Sequence, residues 1–239
     1  MKAVAAGFWG LLKAVRRDHM LLAACSAPVL AGVAFRFGVP ALEMLLTRWA
    51  GTGAVLAPWY GLFDLMLCML TPVMFCFAAA MVVLEEVDSH VAAVLLVTPL
   101  GRRGYLMSRL LLPTLFGMAA TLVLYPLFRL LVLPAWLGLL LAAGGAAQGL
   151  IIAMLVVSFS TNKLEGMAIA KLSSLLLLGA FAPYLLQQNR VQYLLVGLPS
   201  FALAKALQGQ NPLWGVVSLA LCAVWCAGLA KRFDAKIVY

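Results

Sequence analysis

Residues 59–84 read WYGLFDLMLCMLTPVMFCFAAAMVVL, an apolar run with one charged residue, Asp64. A run of that length has few places to go. Where water is excluded, its backbone N–H and C=O groups must pair within the segment, which leaves a helix. About 20 residues of helix cross the roughly 30 Å hydrocarbon core of a bilayer. The same texture recurs at about 20–38, 105–132, 135–159, 167–186 and 213–230. Of the 239 residues, 65% are apolar and 10% charged, whereas a soluble domain is about half apolar and a quarter charged. The sequence therefore predicts an all-α polytopic membrane protein with six transmembrane helices in a single transmembrane domain, 1–239. The connections are short, and none is a polar stretch long enough to fold as a soluble catalytic or nucleotide-binding domain.

The polar-flecked stretch 39–58 reads as a loop between the first two spans. Before the first span, residues 1–19 read as a surface helix. At about 100° per residue, Val4, Phe8, Leu11, Leu12 and Val15 share one sector, and Lys2, Lys13, Arg16 and Arg17 lie roughly opposite. That pattern suits a helix on the membrane, its cations toward anionic headgroups. Trp9 falls among the cations. Six spans place both termini on one side. The N-terminal segment, the 85–109 and 160–171 connections and the C-terminal tail hold Lys2, Lys13, Arg16, Arg17, Arg102, Arg103, Arg109, Lys163, Lys171, Lys231, Arg232 and Lys236; the other side holds Arg36, Arg48, Arg129, Arg190 and Lys205. Lys and Arg accumulate on the cytoplasmic side, so both termini are expected there. The net charge of +9 is thus read as topology, with no nucleic-acid partner.

The chemistry of an enzyme is sparse. His19 and His90 are the only histidines, both at predicted membrane surfaces. The five cysteines, Cys25, Cys68, Cys76, Cys222 and Cys226, fall in apolar runs without a Cys-x-x-Cys, so neither a metal site nor a disulfide framework is expected. No G-x-x-x-x-G-K-[ST] loop is present to bind ATP. Pro28, Pro72, Pro113, Pro126 and Pro183 interrupt four spans, where each either kinks its helix to shape the bundle or marks a hinge.

Three features stand out against the apolar background. Asp64 lies inside a span near its outer end, where a carboxylate needs a partner; Arg129 or Arg36 is the expected one, either fixing helix register or serving substrate or protons. Gln148 is an intramembrane polar residue within Gly145-Ala-Ala-Gln-Gly149, a small-xxx-small pattern that brings helices close, within the subunit or in a dimer. Residues 85–104 begin with Glu85, Glu86 and Asp88, continue through an apolar run to Thr98-Pro99-Leu100, and end with Arg102-Arg103. This stretch suits either a short helix docking on a cytoplasmic partner or a solvated loop.

The stretch Glu86 to Arg109, EVDSHVAAVLLVTPLGRRGYLMSR, resembles the connection between spans two and three in membrane subunits of type-2 ABC exporters. Glu86, Leu95, Leu96, Thr98, Pro99, Leu100, Tyr105 and Arg109 match that family's pattern. His90 and Val91 stand where Gly-Thr is usual, and Val87 and Ser89 replace basic residues common after the glutamate. Thr161-Asn162-Lys163-Leu164-Glu165-Gly166-Met167 resembles the family's short connection before span five. Leu198-Pro199-Ser200-Phe201 with Lys205 resembles its outer segment before the last helix, and the N-terminal surface helix its elbow helix.

The resemblance implies a non-catalytic permease subunit in a bacterial plasma membrane, paired with a second permease, identical or related. ATP and magnesium would sit on a separate ATP-binding cassette ATPase. The 85–104 segment would be the coupling helix, with Glu85, Glu86, Asp88, Thr98, Pro99, Leu100, Arg102 and Arg103 at the ATPase surface and Lys163 and Glu165 nearby. Spans rich in Leu, Met, Phe and Ala favour a hydrophobic or amphipathic cargo of the drug or antimicrobial-peptide type. A heme-export or cytochrome-assembly permease, a secondary transporter or accessory protein without ATP coupling, and a membrane-embedded enzyme are the alternatives.

Overall fold

A computed structural model describes residues 2–50, 54–98, 100–186 and 189–238, and among them there are helices and no strands. Helix α1 (Lys2–Arg17) ends where Asp18 takes an extended backbone (φ −99°, ψ 106°) and its carboxylate accepts from the amides of Met20 (2.9 Å) and Leu21 (3.3 Å). This N-cap starts α2 (His19–Val33) on a new course. Part of the apolar stripe of α1 packs on the protein itself. Leu11 and Val15 are buried in the bundle, and Phe8 faces Phe116 at 6.4 Å between ring centroids.

The first apolar helix is longer than expected. It passes from α2 through a π turn (Ala34–Gly38) into α3 (Val39–Ala50), so that the region anticipated as a loop is helical for its first twelve residues. VPALEMLLTRWA contains no glycine and many strong helix formers. Its one proline, Pro40, has no N–H for the Arg36 carbonyl a turn back, and the π turn lies at that point. Glu43 accepts from the amides of Val55 (2.7 Å) and Leu56 (2.5 Å).

The chain continues through α4 (Tyr60–Asp88), α5 (Val91–Val97), α6 (Gly101–Leu106), a second π turn (Met107–Leu111) and α7 (Leu112–Phe128) to α8 (Ala135–Phe159). Next come α9 (Lys163–Ser173), a 3-10 segment (Ser174–Ala180), α10 (Ala182–Leu185), α11 (Pro199–Gly209) and α12 (Pro212–Val238). Five stretches are long and apolar enough to cross a membrane: His19–Trp49, Ala57–Asp88, Gly101–Phe128, Ala135–Phe159 and Pro212–Phe233. The chain is a multi-pass membrane protein. The expected span 167–186 is divided instead among α9, the 3-10 segment and α10. Pro183 explains part of the break, since it offers no N–H to the Gly179 carbonyl and its ring crowds that group.

The most apolar window of α4 is 78% buried and that of α8 72%, against 17–28% for the other three. Thus α4 and α8 form the centre, and the rest turn apolar faces outward. Glycines bring the central pair together. A Cβ on Gly149 would stand 2.9 Å from the Pro72 carbonyl oxygen, one on Gly145 would collide with the Cys68 carbonyl oxygen, and one on Gly117 of α7 would stand 2.7 Å from Pro72 Cα. Gly145 and Gly149 therefore serve packing within the subunit.

The bundle has two distinct ends. At one, Lys163 reaches Asp18 and Glu85, Arg232 lies over the Phe159 ring (5.0 Å), and Phe233 joins Leu11 and Val15 in one core. The beginning and end of the described chain share this end. At the other, Trp59 stacks on Tyr184 with centroids 6.2 Å apart. Residues 163–184 thus run from one end of the bundle to the other despite their broken helix.

Candidate functional site

Each π turn carries an arginine, buried in the second turn (Arg109) and exposed in the first (Arg36). Arg36 and Arg109 each lie at the middle of a π turn, four residues before a proline, Pro40 or Pro113. Arg109 is 4% exposed although the sequence around it, LMSRLLLP, is apolar. Its Nε donates to Glu86 Oε2 (2.9 Å), its Nη2 donates to Glu86 Oε1, and its Nη1 donates to the Gly7 carbonyl of α1 (2.5 Å). The Tyr105 hydroxyl donates to the same Glu86 Oε2 (2.9 Å). A bidentate arginine–carboxylate pair fixes geometry as well as charge. Gly7 permits the approach: a Cβ there would already be 3.2 Å from Ser108 Oγ. The clamp joins the end of α4, the start of the 101–128 helix and α1. Between its two anchors in sequence lies α5.

α5 confirms the helical alternative for this segment. It begins after His90, whose φ of 58° is left-handed, a conformation that favours glycine. The position where the exporter pattern has Gly is therefore a turn that asks for one. Ala92 is buried, whereas Val91, Val94 and Val97 are exposed along one edge. Thr98 is extended and its hydroxyl donates to the Leu95 carbonyl (2.6 Å). Pro99 lies outside the described residues. Leu100 packs back near Gly104 and Gly7, and Asp88, Arg102 and Arg103 are on the surface.

A second ionic knot sits beside the clamp. Lys163 Nζ donates to Asp18 Oδ2 (2.5 Å) and to Glu85 Oε2 (3.3 Å). The hydrogen bond from Lys163 holds the Asp18 carboxyl below its ordinary value, against the opposing effect of burial. Burial lowers the Lys163 ammonium, but its bonds to Asp18 and Glu85 outweigh that and raise it above its ordinary value. Glu165 serves its own helix: it accepts from the amide (2.6 Å) and hydroxyl (2.7 Å) of Thr161, while Asn162 accepts from the Glu165 amide (2.9 Å). This arrangement is related to a capping box, with the glutamate reaching the residue before the N-cap Asn162.

At the far end, Asp64 is 1% exposed, and its two oxygens accept from the amides of Leu130 and Leu131, each at 2.8 Å. Arg36 Nη1 donates to the Arg129 carbonyl (2.8 Å). The expected partners thus reach the Asp64 neighbourhood through the backbone of one turn, 129–131, while the carboxylate takes amides. Beneath this end lies a cavity of about 580 Å³, wholly apolar, lined by Phe35, Trp59, Phe63, Met66, Phe181 and Leu185 among others. It opens between the first π turn, α4 and the 3-10/α10 segment. Gln148 is buried, with neither amide atom hydrogen-bonded, beside Ile152, Leu176 and Trp225 and away from that cavity.

The sequence places Glu86 at the site and marks Arg109 as a cytoplasmic base that matches the exporter pattern, but it does not pair the two. The available signal was a lone cation inside an apolar run, four residues before a proline. The Gly7 carbonyl carries no such signal, because any residue supplies one.

Together these features define a polytopic helical membrane protein with an open apolar cavity at one end and a buried ionic clamp at the other. The profile of the family described as "Fluoroquinolones export permease protein Rv2686c-like" matches residues 11–230. The chain belongs to that family of export permeases. A comparison with curated proteins found no match.

Proposed function

We propose that the chain is the permease subunit of a type-2 ABC exporter, driven by a separate ATP-binding cassette ATPase and exporting hydrophobic or amphipathic compounds of the fluoroquinolone kind. The observation that carries this reading is α5. It is a short helix with an exposed valine edge, held between Glu86 and Arg109, so a displacement of α5 is passed to α4 and the 101–128 helix together. α4 also lines the apolar cavity, through Leu62, Phe63 and Met66, with Trp59 just before its first residue. A push at α5 therefore bears on the cavity through one continuous helix, which carries Pro72 between the two. Four aromatic rings around a space without polar lining suit a flat aromatic guest.

In this reading residues 163–185 supply the sixth crossing. An eleven-residue α-helix, a seven-residue 3-10 segment and a four-residue helix together reach roughly 35 Å, enough for the hydrocarbon core. The end that holds the clamp is then cytoplasmic, both termini with it, in agreement with the bias of basic residues. Nucleotide and magnesium belong to the ATPase, and the chain contributes transmission and a path. A second permease subunit completes the path on the faces that α2 and α3 leave exposed, where Leu30, Phe37, Leu45 and Trp49 have no cover.

Co-purification tests the reading. A tagged chain in mild detergent is expected to bring down the ATPase encoded beside it, and Val94→Asp with Val97→Asp is expected to release that ATPase while the permease still elutes as one species. Recovery of the ATPase with the double variant at the wild-type ratio would overturn the coupling assignment.

A further inference from the structure

α1 has a second face that the clamp does not use. With Leu11 and Val15 buried against the bundle, it leaves Trp9, Lys13, Arg16 and Arg17 outside, and Trp9 is 71% exposed. At the α-helical repeat Lys13 and Arg16 lie within roughly 40° of Trp9, and Arg17 within roughly 80°. These four, with Gly10 and Leu12, form one open face of the helix. A large exposed indole amid three cations is out of place in free water. It fits the boundary between headgroups and acyl chains, where Trp is enriched and basic side chains meet anionic lipid. The height is right too, because α2, the first helix able to cross the membrane, starts one residue after Asp18 closes α1.

We propose that the outward face of α1 is a binding site for anionic phospholipid headgroups. Lys13, Arg16 and Arg17 hold the phosphate, and Trp9 sits at the acyl boundary. The opposite side of the same helix gives its Gly7 carbonyl to Arg109, so a lipid held by α1 steadies the helix on which the clamp closes. That consequence rests on the exporter reading; lipid binding itself does not, and it is measured without an ATPase.

The test is native mass spectrometry of the full chain released from detergent containing equal phosphatidylglycerol and phosphatidylcholine. The wild type is expected to retain phosphatidylglycerol several-fold over phosphatidylcholine. Lys13→Gln/Arg16→Gln/Arg17→Gln is expected to erase that preference, and Arg103→Gln/Lys231→Gln, which neutralises surface cations elsewhere, to keep it. A preference that survives the triple change, or falls equally in the control, overturns the proposal. So does a triple variant that loses ATPase co-purification with lipid retention unchanged, which would assign the face to the ATPase. Should the triple variant not fold, brominated phosphatidylglycerol decides: it is expected to quench wild-type fluorescence more than that of Trp9→Phe, and equal quenching overturns the site.

Discussion

Arg109→Met removes the centre of the clamp. The substitution deletes two hydrogen bonds to Glu86 and one to the Gly7 carbonyl. It leaves the Glu86 carboxylate, whose side chain is 13% exposed, with the Tyr105 hydroxyl alone. Breaking a buried pair by removing one partner costs about 3–5 kcal/mol, mostly because a charge is left behind. The midpoint corresponds to roughly a thousandfold in the unfolding equilibrium. Reversible unfolding by dodecyl sulfate in mixed micelles, followed by far-ultraviolet circular dichroism, reads this directly. Glu86→Gln in the Arg109→Met background neutralises the orphaned charge and still offers Tyr105 an acceptor. The double variant is therefore expected to recover about 1–2 kcal/mol of the loss. A loss under about 1 kcal/mol for Arg109→Met, or a double variant less stable than it, would refute the claim that a buried charge pair holds this end together.

Asp64→Asn keeps the size of the side chain but can accept from only one of the two amides. It is expected to cost about 1.5–3 kcal/mol and to speed hydrogen exchange at Leu130 and Leu131; unchanged exchange there would deny Asp64 its role in the turn. Gly149→Val places a Cβ against the Pro72 carbonyl, backbone that cannot step aside. A loss of about 1–3 kcal/mol is expected, and an unaltered unfolding midpoint would contradict the α4–α8 contact. The Asp18–Lys163 pair sets a pH window. Asp18, lowered from 3.8, contributes stability that is present above that value and is lost as pH falls through its folded value. Lys163, raised from 10.5, contributes stability that is present below that value and is lost as pH rises through its folded value. Lys163→Met is thus expected to lower stability by about 0.2–1 kcal/mol, evenly between roughly pH 5 and 9, and a difference that varies within that window would argue against the pair.

Some elements could be read to the residue. Helix α8 begins and ends where the apolar run 135–159 does, because Pro134 and Ser160, both extended, flank it. Others were hidden by chemistry that a linear pattern does not carry. The run from α2 into α3 looked like a loop because Pro40, Glu43 and Arg48 dilute its apolar character, yet a π turn absorbs the proline and the helix goes on. The broken crossing looked like a plain helix because LSSLLLLGAFAPYLL has the right hydropathy. What divides it is Pro183 with the close approach of α11, where a Cβ on Gly179 would meet Ser200 Oγ. The partners of Arg109 and Asp64 include main-chain atoms distant in sequence, Gly7 O and the amides of Leu130 and Leu131, and no side-chain motif marks those.

The most direct measurement is uptake of a fluoroquinolone by inverted membrane vesicles holding the chain together with its co-expressed ATPase. Accumulation is expected to require hydrolysable ATP, to fall at least several-fold with Trp59→Ala in the apolar cavity, and to be abolished by Val94→Asp/Val97→Asp on α5. Accumulation driven by a proton gradient without ATP, and indifferent to the α5 changes, would contradict the proposed coupling.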